Sequence, residues 1–110
     1  MGVAVDESGD VLLAGSLIGT IDFGGGPLAS MGGDLSGGDV FVAKLDGGGN
    51  HVWSRRFGDS YGQGAFGVAS AGMGGMFVDG SFLGKLDLGG GAPLSAAGAR
   101  SMFVAKLLTP

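Results

Sequence analysis

The chain has 110 residues, of which 45% are hydrophobic and 15% charged, a balance that excludes intrinsic disorder and leaves room for one small domain. Its 27 glycines far exceed the ordinary share of about 7%; with three prolines and no Gly-X-Y period they argue against collagen and against long helices. A net charge of −4 with six scattered basic residues excludes a nucleic-acid-binding stripe, and the absence of cysteine excludes disulfides and thiolate metal sites.

Neither membrane insertion nor an export signal is expected. The longest apolar run, VLLAGSLIG at 11–19, falls far short of the roughly 20 residues that cross a bilayer. The start, MGVAVDESGD, has no basic segment followed by an apolar one, so no signal peptide is predicted.

Short strands bounded by Gly, Asp, Asn and Ser are predicted along the first half of the chain. They cover residues 2–6, 10–18, 39–46 and 51–57, with a further short strand in TIDF at 20–23. DESGD and DGGGN are predicted to be the hairpin turns between them, with Asp accepting backbone hydrogen bonds and Gly supplying positive φ. Asp22 is expected to cap the glycine turn after it in the same way.

The second half of the chain repeats the first. GSLIGTIDFGGG at 15–26 reappears as GSFLGKLDLGGG 65 residues later (80 against 15), and GVA at 2–4 recurs at that same offset. FVAKL at 41–45 recurs unchanged 62 residues later (103 against 41). The architecture is therefore predicted to be a tandem repeat of one supersecondary unit.

The repeated glycine triplet is interpreted as a structural turn. A phosphate-binding loop has the pattern G-x-x-x-x-G-K-[ST] and opens a helix, but neither copy carries the Lys-Ser/Thr pair. The first triplet leads into PLASMGGDLSGG, a turn-rich stretch that does not begin a helix.

The strand at 39–46 is apolar on both faces. Alternation places Val40 and Val42 on one side, with Phe41, Ala43 and Leu45 on the other. A sheet with one wet face would alternate polar and apolar residues, so each small sheet is predicted to lie between two others, as blades do in a β-propeller.

The run GVAVD-xSGD-VxLAGS…IDFGGGPL…DVFVAKLD-GGGN-HVWSRRFG closely resembles the SBBP-type β-propeller repeat of bacterial surface and secreted proteins. The resemblance covers the whole chain, once completely and once in part. It implies an all-β fold of about two four-stranded antiparallel blades, the second incomplete, within a larger or oligomeric propeller. It also implies a scaffold or binding role, and an extracellular or cell-envelope location.

Residues 1–66 are predicted to form the first, complete repeat, and residues 67–110 a second that lacks its outer strand. The second repeat has Ala71 and Gly75 where the first has Asp6 and Asp10, so its turn SAGMGGM loses its polar anchors. That turn, which contains Met73 and Met76, is expected to be flexible. Because propellers close with roughly four to eight blades, the chain is interpreted as part of a longer propeller or as a self-associating subunit.

No catalytic, cofactor-binding or metal-binding residue is assigned. His51, the only histidine, is predicted to share a strand face with Trp53, which is expected to fill space between blades. Three serines, at positions 54, 60 and 70, lack a G-x-S-x-G context, so no triad is built around His51. Arg55 and Arg56 are expected to point to opposite faces as edge charges.

Calcium binding by DESGD is considered and set aside in favour of a turn. Asp6, Ser8 and Asp10 alternate as at the start of an EF-hand loop, but the glycine falls at the fourth position instead of the sixth. No glutamate stands at the twelfth position either.

Three functions remain open from the sequence. The first is a non-catalytic scaffold or interaction module that binds an unknown protein or glycan and needs no cofactor. The second is a propeller-type lyase or hydrolase with its site at the central channel, for which one His, one Glu and one Tyr are a sparse supply. The third is a truncated reading frame without independent function.

Overall fold

All regular structure in the described part of the chain is β-strand. The computed structural model describes residues 2–29, 39–57, 63–82, 85–86, 94–95 and 101–108, and within these ranges there is no helix, hence none suited to crossing a membrane. The strands are β1 (Gly2–Val5), β2 (Val11–Leu17), β3 (Thr20–Asp22), β4 (Pro27–Ala29), β5 (Asp39–Leu45), β6 (His51–Phe57), β7 (Gln63–Gly72), β8 (Gly75–Phe82), β9 (Lys85–Leu86), β10 (Leu94–Ser95) and β11 (Ser101–Leu108).

A four-stranded antiparallel sheet, here called the first sheet, has the order β1-β2-β5-β6. Its turns form as predicted. Oδ1 of Asp6 accepts hydrogen bonds from the N–H groups of Ser8 and Asp10, both at 2.9 Å. Oδ1 of Asp46 accepts equivalent bonds from Gly48 and Asn50, also at 2.9 Å. The predicted strands are confirmed to within about one residue at each end.

The first glycine triplet is a tight turn that joins β3 to β4. The Asp22 carboxylate accepts hydrogen bonds from the N–H groups of Gly24 at 2.7 Å and Gly26 at 3.2 Å. Both glycines have φ of 110°, which side chains rarely adopt. This conformation accounts for Gly24 and Gly26, while at Gly25 a Cβ would run into the His51 ring. The prediction of a structural turn is confirmed for this triplet; its second copy, at 89–91, lies outside the described residues.

A second sheet, of order β7-β8-β11, reproduces the first sheet's register at the repeat offsets. Gly2 pairs with Ala14 and Gly67 with Asp79, their counterparts. Leu12 pairs with Lys44 just as Phe77 pairs with Lys106. Each strand pair of the second sheet therefore places its residues on the same relative faces as the first sheet does.

The two sheets pack face to face, and the core lies between them. The first sheet contributes what we call its packed face, which comprises Ala4, Leu12, Ala14, Val40, Val42 and Lys44. The second sheet contributes Ala65, Met76, Val78, Phe82 and Phe103. Excluding the apolar side chains of both faces from water is the main stabilising term of the fold.

The central strand β5 is buried on both faces, as predicted, but its two covers differ. The second sheet covers the side with Val40 and Val42. On the other side Phe23, in the β3–β4 hairpin, packs on Phe41 with ring centroids 5.3 Å apart. The hairpin covers the part of this side over β5, so the described chain shows one neighbouring sheet for the first sheet, and the expectation of a sheet on both sides stays a prediction.

The turn of the second repeat is short and regular. Gly72 pairs with Gly75 across Met73 and Gly74, whose φ values are 53° and 82°, which is the geometry of a two-residue type I′ hairpin loop. Met73 is fully exposed at its tip. Met76 does not belong to the turn, contrary to the prediction, since it is a buried core residue of β8.

Candidate interaction surface

A lysine lies at the edge of the core between the sheets. The Lys44 ammonium is 3.3 Å from Oδ2 of Asp6 and 3.7 Å from Oδ2 of Asp10, and its side chain is only 7% exposed. It also donates to the carbonyl oxygen of Gly74 in the β7–β8 turn, at 3.4 Å. The lysine thus joins a turn of the first sheet to a turn of the second.

The Asp6 carboxylate is held in its ionised form by this arrangement. Burial works to raise the pKa of Asp6, but hydrogen bonds from the N–H groups of Asp10 and Ser8, together with the Lys44 ammonium, hold that pKa below its ordinary value of 3.8. The carboxylates of the DESGD turn therefore bind the ammonium group of Lys44. Within the described ranges no cluster of side chains is suited to holding a metal ion.

A second ion pair joins the outer strand β6 to β5. Arg56 Nη1 lies 3.0 Å from Oδ2 of Asp39, whose side chain is fully buried. Arg55 points to the other face, as predicted, and stacks over the Phe57 ring at 5.3 Å from its centroid. Arg56 is thus a structural partner of a buried carboxylate, which the sequence interpretation as an edge charge did not foresee.

His51 and Trp53 lie on opposite faces of β6, contrary to the prediction. A register shift between Lys44 and Leu45 pairs Trp53 with Lys44 but His51 with Leu45. Trp53 packs against the core between the sheets, as expected. His51 lies beside the glycine turn, and its Nε2 is 2.9 Å from Oγ of Ser54.

This contact is the one approach to catalytic geometry in the described residues. A nucleophile within hydrogen-bond reach of a base is half of a catalytic triad, whose third group orients the base. Among the described side chains no carboxylate bonds Nδ1 of His51. Oγ of Ser70 accepts a hydrogen bond from the N–H of Gly72 at 3.3 Å and makes a long contact of 3.5 Å with Glu7. Ser60 lies outside the described residues.

The second sheet has an open face opposite its core. We use this name for Ala69, Phe77, Asp79, Met102, Val104 and Lys106. By the repeat offsets these residues are counterparts of the first sheet's packed face, yet Met102 and Val104 are 73% and 75% exposed. Exposed apolar side chains gathered on one surface typically mark an interaction site.

A shallow groove of about 140 Å³ runs along this open face. Its walls are apolar apart from Asp79, and the residues that line it are Gly67, Val68, Ala69, Phe77, Val78, Asp79 and Val104. Lys106 lies over Phe77, with Nζ 5.9 Å from the ring centroid. This groove was not predicted from the sequence. The exact repeat of FVAKL could have indicated it, because the repeat places the same apolar residues on the second sheet as on the packed face of the first.

No family model matches the chain, and the search of curated proteins found no match to it. The resemblance to the SBBP-type repeat therefore stays a prediction, carried by the turn spacing, FVAKLD and GNHVWS.

Proposed function

We propose that this chain is a non-catalytic scaffold module whose two sheets are consecutive blades of a β-propeller. It works by binding a protein or glycan partner through the surfaces that its sheets and loops present. A cell-envelope or extracellular location belongs to the same proposal and rests on the SBBP-type resemblance.

One observation carries the proposal: the packed face of the first sheet has an exposed apolar counterpart on the second. In a propeller, small sheets pack radially, each between two neighbours. The second sheet covers Val42, while nothing in the described chain covers its counterpart Val104. A surface of this kind favours a partner that packs against it.

Several charged side chains of the described part have structural partners, which supports a non-catalytic role. Asp6, Asp22 and Asp46 anchor turns. Lys44 and Arg56 neutralise buried carboxylates. Charged groups engaged in this way are poorly placed to exchange protons with a substrate.

Dye binding tests the open face as an interaction surface. A dye that fluoresces on apolar surfaces should bind dilute wild-type protein, and Val104→Glu should remove most of that signal. Val52→Glu is the matched control, since Val52 is also an exposed valine of a strand, in β6. Equal dye fluorescence from both variants would contradict the proposal; circular dichroism checks that both are folded.

The contact between His51 and Ser54 supports a second candidate, a hydrolase. That candidate expects slow ester hydrolysis that disappears in Ser54→Ala. Hydrolysis that is absent, or unchanged by this substitution, leaves the scaffold as the better account.

A further inference from the structure

We propose that the open face of the second sheet binds the first sheet of a second copy of this chain, head to tail. This rests on the proposed function, whose interaction surface it supplies with a partner. The contact would repeat, between copies, the packing that already joins the two sheets within one chain.

The surface that fits the open face is present on the first sheet. We call it the valine face, and it comprises Val3, Val5, Val11 and Leu13, on the side of β1 and β2 away from the core. By the repeat offset these residues are counterparts of Val68, Ser70, Met76 and Val78, which face the first sheet. Val3 and Val5 are 65% and 64% exposed.

The internal contact specifies how the copies would align. A Cβ placed on Gly2 would lie only 2.9 Å from Cα of Gly67 and 3.0 Å from N of Val68, so the two sheets approach closely there. Moving this contact by one repeat sets Gly67 of one copy against Cα of Gly2 and N of Val3 in the next copy. Likewise Lys44 donates to Gly74 O, and the moved contact directs Lys106 to the carbonyl of Gly9 in the next copy.

The interface would be heterologous, since two different surfaces meet. Contacts of this type continue from copy to copy and produce a closed ring, or a filament if the rotation does not close. If two copies instead bound each other through the same surface, assembly would end at a dimer.

Two charged residues of the open face oppose the association. Lys106 would be desolvated without the carboxylates that pair with Lys44, because Ala71 and Gly75 stand at those positions. Asp79 stands where the packed face has Ala14, so docking would bury an acid at that position. Asp79→Ala gives the open face the residue found in the internal interface. This substitution should lower the protein concentration at which half of the chains are associated by roughly tenfold.

Two blocked variants test the pairing. The mass of wild-type protein, measured by light scattering from roughly 1 μM to 1 mM, should rise above the 10.7 kDa of one chain. Val104→Glu blocks the open face and Val3→Glu the valine face, so each alone should stay at that mass. Their equimolar mixture retains one intact surface of each kind and should give a dimer of twice that mass that grows no further.

Disulfide trapping tests the alignment, since the chain contains no cysteine. Under mild oxidation, Gly67→Cys mixed with Val3→Cys should form a linked dimer. Met73→Cys mixed with Val3→Cys is the control and should form far less, because Met73 lies at a turn tip.

Three results would overturn the inference. The first is wild-type protein that stays monomeric over the whole range; the second is Val3→Glu that associates by itself; the third is a mixture that stays at the monomer mass. Dye binding distinguishes this failure from failure of the proposed function. If the protein is monomeric but Val104→Glu removes dye binding, the open face is an interaction surface for a different partner, and only the self-association is refuted. If the protein is monomeric and Val104→Glu leaves dye binding unchanged, both the self-association and the proposed function are refuted.

Discussion

Val42 and Val104 occupy the same repeat position, and replacing each by alanine tests the packing of the two sheets. Val42 is fully buried between the sheets, while Val104 is exposed on the open face. Losing two buried carbon groups costs about 1.6 kcal/mol at about 0.8 kcal/mol each. A residual void of roughly 40 Å³ adds about 1 kcal/mol at about 24 cal/mol per Å³. Val42→Ala should therefore lower the free energy of unfolding by about 2.5 kcal/mol, and Val104→Ala by less than about 0.5 kcal/mol.

Urea unfolding of dilute protein, followed by the fluorescence of Trp53, measures this difference. Trp53 is the only tryptophan and packs against the core between the sheets, so its emission reports their separation. Two variants equal in stability, or a larger loss from Val104→Ala, would refute the assignment of which face is covered.

Three further predictions concern the polar cluster and the backbone. Lys44→Met should lower the urea midpoint because it leaves the Asp6 carboxylate without its counter-ion, while Lys106→Met, at the counterpart position, should change the midpoint little. Since the pKa of Asp6 is lower in the folded chain than in the unfolded one, its carboxylate stabilises the fold above about pH 4, and this contribution is lost as pH falls through the folded pKa. Urea midpoints should thus drop below about pH 4, and less steeply in Asp6→Asn; a drop unchanged by that substitution would contradict this assignment. Gly80→Ala should destabilise by about 2 kcal/mol or more, because its new methyl group would meet the carbonyl of Gly64 and, at 2.8 Å, the Phe103 ring. Gly47→Ala, whose methyl group would find ordinary contact at 3.5 Å, is the control for thermal unfolding.

The strands and turns of the first repeat could be predicted because their causes are local. An aspartate that bonds N–H groups two and four residues ahead needs no distant partner, and Asp6, Asp22 and Asp46 all do this. The strand register of the second sheet follows from the sequence repeat, because equivalent residues pair in both sheets. The face of His51 could not be predicted, because a register shift in the β5–β6 pairing decides it.

FVAKL shows the limit of the sequence most clearly. The same five residues, with the same alternation, form part of β5 and of β11. In β5 the lysine is buried against Asp6 and a neighbouring turn, while in β11 it lies exposed over Phe77. That these residues form a strand is already determined by their local propensity and a period of two. That Val42 is core and Val104 is surface depends on tertiary packing alone, because the second sheet covers one copy of the strand and leaves the equivalent face of the other copy open.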